Sequence, residues 1–293
     1  RDRDVTGVQT CALPIFLPLS RIDADMVRHW LQKEATTRPT QAMNAFVRLR
    51  AFLNWCADHK DYRQFANPDA CATRIARDEL PKKMAKTDCL QREQLNIWFE
   101  HVRALPNLVQ SAYLQALLLT GARREELAGL KWEDVDFQWK SLAIRDKVDG
   151  ERIIPLTPYV ASLLYALPRR NEWLFSSPSA ESGRLREPRI AHNRALVAAG
   201  LPALTLHGLR RSFGTLAEWV ECPAGISAQI MGHKPSATAE KHYRVRPLDL
   251  LRQWHTKIEG WILEQAGIEQ PGEAKQPLAL VGGSGKTASK KTY

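Results

Sequence analysis

Gly232-His-Lys-Pro-Ser-Ala-Thr-Ala-Glu-Lys-His-Tyr243 is the stretch on which the reading of this chain turns. A tyrosine hydroxyl titrates near pH ~10 and attacks poorly unless its surroundings favour the anion. Upstream stand Arg123, Lys147, His207 and Arg210, cations that can supply such surroundings if folding gathers them. With two guanidiniums, a lysine and the histidines His207 and His233 about it, the Tyr243 oxygen becomes an attacker of a phosphodiester. That chemistry cuts DNA without a metal.

Each of these residues sits in a local pattern with an ordinary reading beside the chemical one. Thr120-Gly-Ala-Arg-Arg-Glu-Glu-Leu127 opens a short helix after a tight glycine turn. Arg123 starts that helix, and Glu126 lies on the same face and can hold its guanidinium. An Arg–Glu pair on a helix is usually only a surface ion pair. In Leu206-His-Gly-Leu-Arg-Arg-Ser-Phe213, the residues Leu206, Leu209, Phe213 and Leu216 form the stripe to bury. His207 and Arg210 then project together beside it. A histidine there is often structural; an arginine alongside favours a phosphate site. Lys147 precedes Asp149-Gly150, a strong hairpin turn, where a lysine is ordinarily a solvated edge-strand residue. Tyrosines near helix ends are mostly packing residues with a wet hydroxyl. Arg124 and Arg211 adjoin Arg123 and Arg210, and local pattern does not choose between neighbours.

The order and spacing together resemble the tyrosine recombinases, the phage-integrase family. Their signature runs T-G-x-R, a hairpin Lys, H-x-x-R, G-H, then Tyr, here Thr120-Gly-Ala-Arg123, Lys147, His207-Gly-Leu-Arg210, Gly232-His233 and Tyr243. The resemblance implies a site-specific DNA recombinase, an integrase of a prophage or other mobile element. Tyr243 would be the nucleophile, leaving a 3′-phosphotyrosine and a free 5′-hydroxyl. Arg123 and Arg210 would hold the nonbridging oxygens, with Glu126 supporting. Lys147 would be the general acid, His207 would carry the tyrosine proton, and His233 would hydrogen-bond the phosphate. The hairpin reads Asp-Lys-Val-Asp-Gly in place of the commoner Thr-Lys-Asn-Gly, which makes Lys147 the weakest match. No metal, ATP or other cofactor is implied. The implied partners are double-stranded DNA attachment sites, further copies in a homotetramer, and DNA-bending or directionality proteins, without a membrane. The implied setting is a bacterial cytoplasm, at the nucleoid. Rival readings are a type IB topoisomerase-like strand transferase and an inactive DNA-binding remnant. A zinc enzyme built on His207, His233 and His242 is disfavoured by the adjacent cations.

Composition agrees. Lys and Arg total 42 against 32 Asp and Glu, a formal net charge of +10, which favours polyanions. The five cysteines form no C-x-x-C pair, so neither a zinc site nor a disulfide framework is suggested and a reducing cytoplasm fits. No apolar run reaches the ~18 residues of a membrane span. Residues 1–16 read as a translated sequencing adapter, not a signal peptide, so the natural N-terminus is expected to be missing.

The fold class expected is mainly α with a small antiparallel β-sheet. Residues 17–79 read as a helical domain, with helices at 25–35, from a Thr40 cap onward, and at 69–77. By resemblance this is the core-binding domain that clamps DNA opposite the catalytic one. Residues 80–88 form a basic, proline-interrupted linker. Residues 89–267 form the catalytic domain: helices at 91–105, 108–119, 158–167, 187–199, 206–220, 223–231 and 248–266, with a hairpin at 141–145 and 152–156. The 248–266 helix could dock on a neighbouring subunit or on its own domain. Residues 268–293 read as a flexible basic tail. Arg38, Arg48, Arg50, Lys82, Lys83, Lys86 and Arg211 are candidate DNA contacts, though solvated surface cations would look the same.

Overall fold

The computed structural model describes residues 17–82, 85–146, 150–233 and 246–270. Two compact units divide between Lys86 and Thr87.

The first unit is helical. Asp23 caps α1 (Ala24–Thr37) by accepting from the Met26 N–H at 2.8 Å. Pro39 cannot continue that helix, and it opens α2 (Pro39–Asp58) at its first position. The N-cap is therefore Arg38, not Thr40, which lies inside the first turn. Ala42, Phe46, Leu49, Leu53 and Cys56 are buried, as their helical spacing predicts. Phe52, which its spacing three residues after Leu49 would place in the same stripe, is instead half exposed. A 3₁₀ turn at Pro68–Cys71 leads into α3 (Thr73–Glu79), which starts later than expected because the backbone leaves the helical region at Ala72, with φ −58° and ψ 137°. Val27, Leu31, Phe46, Leu53 and Ile75 close the core between the three helices.

The second unit is organised around α5 (Leu108–Thr120), which is buried from Val109 to Thr120 save one half-buried position. A helix apolar on every side belongs at the centre of a domain. Here α4 (Leu95–Arg103), α7 (Pro158–Tyr165) and α9 (Leu206–Ala217) surround it. Between α6 (Arg124–Ala128) and α7 lies a three-stranded antiparallel sheet, β1 (Val135–Asp136), β2 (Ser141–Asp146) and β3 (Gly150–Pro155), in that order. Its β2–β3 register pairs Leu142 with Ile154 and Ile144 with Arg152. The short β1 has no strong alternation of its own. Beyond it run α8 (Arg189–Ala198), α10 (Ala224–Met231) and α11 (Leu248–Gln265).

α11 packs on its own domain, burying Leu251, His255, Ile258, Ile262 and Leu263. Glu259, wholly buried on the same face, accepts from the Tyr159 and Val160 N–H groups at 2.9 and 3.2 Å and from the Thr157 hydroxyl. A carboxylate at the start of α7 satisfies donors that the helix itself leaves open. Among the described residues, no helix is long and apolar enough to cross a membrane.

Candidate active site

α5 ends at Gly121, whose φ of +59° turns the chain against α9. A Cβ there would stand 2.6 Å from the Phe213 ring, so both the backbone angle and the close approach require glycine. The turn sets Arg123 at the N-cap of α6. Its backbone N–H donates to Glu126 Oε2 at 2.9 Å, its Nη1 to Glu126 Oε1, and its Nη2 to the Gly232 carbonyl at 3.2 Å.

Arg210 comes from α9 and is 3% exposed. Its Nη1 donates to the carbonyls of Gly121 at 2.7 Å and Met231 at 2.6 Å. One guanidinium thereby ties the end of α5 to the end of α10. α10 itself stops at Gly232, whose φ of +74° admits the left-handed turn that delivers His233. His207 sits one turn before Arg210 on the same helix, at the surface. The structure thus brings Arg123, Glu126, His207, Arg210 and His233 together from α6, α9 and the end of α10. Lys147 and Tyr243 lie outside the described residues.

The cluster is strongly cationic, and its electrostatics follow from that. Burial, then the neighbouring Arg123, push Arg210 down to about 10, so it keeps its charge at neutral pH. Partial burial first, then Arg211 and Arg210, hold His207 below its ordinary value. Partial burial, then Arg210, Arg123 and Arg152, do the same to His233. Both rings are therefore biased toward the neutral form, able to accept a proton or a hydrogen bond.

Burial alone would raise Glu126, but the Arg152 hydrogen bond and the Arg123 backbone and side-chain bonds outweigh it and bring it to about 2. A carboxyl lowered in the folded state stabilises the fold above its unfolded value, and that contribution fades as pH falls toward the folded one. At neutral pH it amounts to roughly 3 kcal/mol. In urea denaturation between pH ~5 and ~3, wild type should lose stability more steeply than Glu126→Gln. Parallel slopes would remove Glu126 from the ion-pair network.

The neighbouring arginines face elsewhere. Arg124 donates to the Arg186 carbonyl at 3.2 Å and pairs with Glu125 at 3.1 Å. Arg211 donates to the Asp88 carbonyl at 3.1 Å and pairs with its carboxylate. Asp88 also accepts from the Thr205 N–H and hydroxyl at 2.9 and 2.7 Å, fastening the start of α9. Although partial burial opposes it, these Thr205 bonds and the Arg211 charge lower Asp88. Arg211 is thus engaged in holding α9. Of the other candidate DNA contacts, Arg38 pairs with Glu34 at 2.9 Å, while Arg48, Arg50, Lys82 and Lys86 are exposed. Lys83 lies outside the described residues.

One member of the cluster escaped sequence reasoning. Arg152 on β3 donates to Glu126 Oε2 at 2.8 Å and, through Nε, to the Ile230 carbonyl at 3.4 Å. Its one local signal is its place at the head of the predicted strand Arg152-Ile-Ile-Pro-Leu156, two residues before Ile154 and so on the same face of the sheet.

Comparison with known proteins follows the same lines. The phage integrase core-binding domain matches residues 9–78, and the phage integrase family matches residues 89–247. Prophage integrase IntF of Escherichia coli K12 is 55% identical over 276 residues, covering 92% of this chain and 59% of that protein. Tyrosine recombinase XerC of Pediococcus pentosaceus is 33% identical over 170 residues, covering 52% of this chain and 56% of its own. The chain therefore spans less than two thirds of the length of these relatives. In fold it resembles a λ integrase dimer bound to a COC′ core site, with TM-score 0.60, 17% identity and coverage of 78% of this chain and 84% of that one. The Tn1549 transposon integrase bound to circular-intermediate DNA gives TM-score 0.58 at 17% identity, covering 81% and 86%. With its catalytic-domain match spanning more than half the sequence, the chain belongs to the phage integrase family of tyrosine recombinases.

Proposed function

We propose that this chain is the core-binding and catalytic portion of a site-specific DNA recombinase that cuts and rejoins DNA through Tyr243. The observation that carries the proposal is the convergence of Arg210, Arg123, His207 and His233 at the junction of α5, α6, α9 and α10.

The Tyr243 oxygen attacks the scissile phosphorus while the bond to the 5′-oxygen breaks. The tyrosine proton passes to His207, which is biased neutral. Lys147 gives a proton to the departing 5′-oxygen. Arg123 and Arg210 hold the nonbridging oxygens, and planar guanidiniums do so with paired, charge-assisted hydrogen bonds. Because charge grows on those oxygens toward the transition state, fixed cations stabilise it more than the bound substrate. His233 adds a further hydrogen bond to the phosphate. The 3′-phosphotyrosine keeps the bond energy, so a 5′-hydroxyl from either strand reverses the step.

The partners proposed are duplex attachment sites and three further copies of the protein, at the nucleoid of a bacterial cell. A λ integrase tetramer bound to a Holliday junction has this fold, which supports the tetramer. The test is a set of nicked duplexes tiling the junctions between the mobile element that carries the gene and its host chromosome. Nicks release the short 5′-hydroxyl fragment, so the covalent adduct accumulates on a denaturing gel. An added 5′-hydroxyl strand should then be joined and the protein released. No adduct on any tile would overturn the proposal. Relaxation of supercoiled plasmid lacking any junction would replace it with topoisomerase activity.

A further inference from the structure

Arg152 carries none of the family motifs quoted above, yet it touches the framework of the site on two sides. It is half-buried on β3, its side chain 17% exposed. Nη2 reaches Glu126 Oε2 on α6, and Nε reaches the Ile230 carbonyl near the end of α10. The guanidinium also lies flush under the next turn, since a Cβ on Gly232 would stand 2.7 Å from its central carbon. A single planar group thus fills the space where three elements meet.

We infer that Arg152 is a positioning residue, setting the Arg123 guanidinium through Glu126 and His233 through the Ile230–Gly232 turn. The inference rests on the phosphoryl-transfer reading of this cluster and extends it to a residue on the hairpin strand. Among the described residues, the two oxygens of Glu126 take three donors: Arg123 Nη1 on Oε1, with the Arg123 N–H and Arg152 Nη2 sharing Oε2. Loss of Arg152 lets the carboxylate rotate and carries Arg123 with it. Arg123 Nη2 also rests on the Gly232 carbonyl, so movement of that turn reaches the same guanidinium again. Lysine cannot substitute in full, because one ammonium replaces two nitrogens diverging toward separate acceptors.

A second consequence is electrostatic. His233 is faced by Arg210 and His207 from α9, by Arg123 ahead of α6 and by Arg152 from β3, with Glu126 between the last two. Removing the Arg152 charge lets His233 titrate higher, a shift that its imidazole resonances report by NMR. A residue that merely held the fold together would leave that titration in place.

The test uses the nicked junction duplex that wild type cleaves, at saturating protein, with single-turnover adduct formation followed across pH. Arg152→Met should bind the duplex as wild type does and cleave about a hundredfold more slowly, the scale of a small misplacement at a reacting centre. Arg152→Lys should recover part of that loss and leave the His233 titration where wild type has it. Combined with Glu126→Gln, neither variant should add its full effect, because the two residues act along one path. Wild-type rates in Arg152→Met, or additivity with Glu126→Gln together with an unmoved His233 titration, would overturn the inference. If Arg152→Met does not fold, the lysine variant decides through the same cycle: additivity overturns, non-additivity supports. Absence of any adduct from wild type would fell the phosphoryl-transfer reading itself, and this one with it.

Discussion

Replacing Tyr243 with phenylalanine should abolish the covalent protein–DNA adduct and leave duplex binding unchanged. Phenylalanine keeps the ring, so the substitution deletes one oxygen and little else. The loss should be on the order of a million-fold, the scale seen when a nucleophile is removed from a working site. Among the described residues, no other tyrosine offers a replacement. The Tyr113 hydroxyl donates to the Arg124 carbonyl at 2.8 Å, and that of Tyr159 donates to Gln115 at 2.7 Å. Burial raises both phenols above their ordinary value, which disfavours the attacking anion. Tyr165 is 78% exposed, its ring against Phe137, and Tyr62 packs with Trp55 and His59 in the first unit. Denaturing gels with wild type and Tyr243→Phe on the same nicked duplex give the comparison. An undiminished adduct in the variant would move the nucleophile to another residue.

What the sequence made legible depended on how local the cause was. Periodicity marked α2 and α9 because the residues that define a buried stripe are a turn apart. The Leu206, Leu209, Phe213 and Leu216 stripe is buried as its spacing requires, and His207 stays at the surface beside it. The pairing of Arg123 with Glu126 was readable for the same reason. Even the start of α2 was a local matter, decided by Pro39 taking the first helical position ahead of Thr40.

Partners distant in sequence left no such trace. Arg210 and Arg211 are adjacent, yet about 100° of helix rotation sends one under the site and the other to Asp88. Nothing near Arg211 announces an aspartate in the segment preceding α4. Arg152 reads as a solvated strand residue until α6 and α10 close on it. Glu259 reads as the polar face of an amphipathic helix, whereas it is fully buried against the start of α7. In each case the pairing exists only once the tertiary fold exists. A buried charge with its partner is costly to create by chance, so these are the positions where a local reading is expected to fail.

Arg210→Ala should separate cleavage from binding, and its position explains why. Among the described residues both of its hydrogen bonds use Nη1, which leaves Nε and Nη2 as the edge to present to a phosphate. Two backbone carbonyls fix the guanidinium plane before substrate arrives, so no reorganisation is spent at the moment of reaction. Removal of such a donor should slow adduct formation by a few hundredfold, about 3–4 kcal/mol. Duplex affinity should persist, because it draws on many exposed cations and Arg210 is not among them. The fold should also weaken by about 1–3 kcal/mol, as the Gly121 and Met231 carbonyls lose their donor. Rates must therefore be compared at a temperature where both proteins remain folded. Arg210→Lys separates charge from geometry: a point charge on a flexible stem cannot hold two carbonyls and still offer a fork to the phosphate. If binding and cleavage fall together in Arg210→Ala, Arg210 is an affinity contact. If Arg210→Lys cleaves like wild type, the carbonyl anchors have no bearing on catalysis.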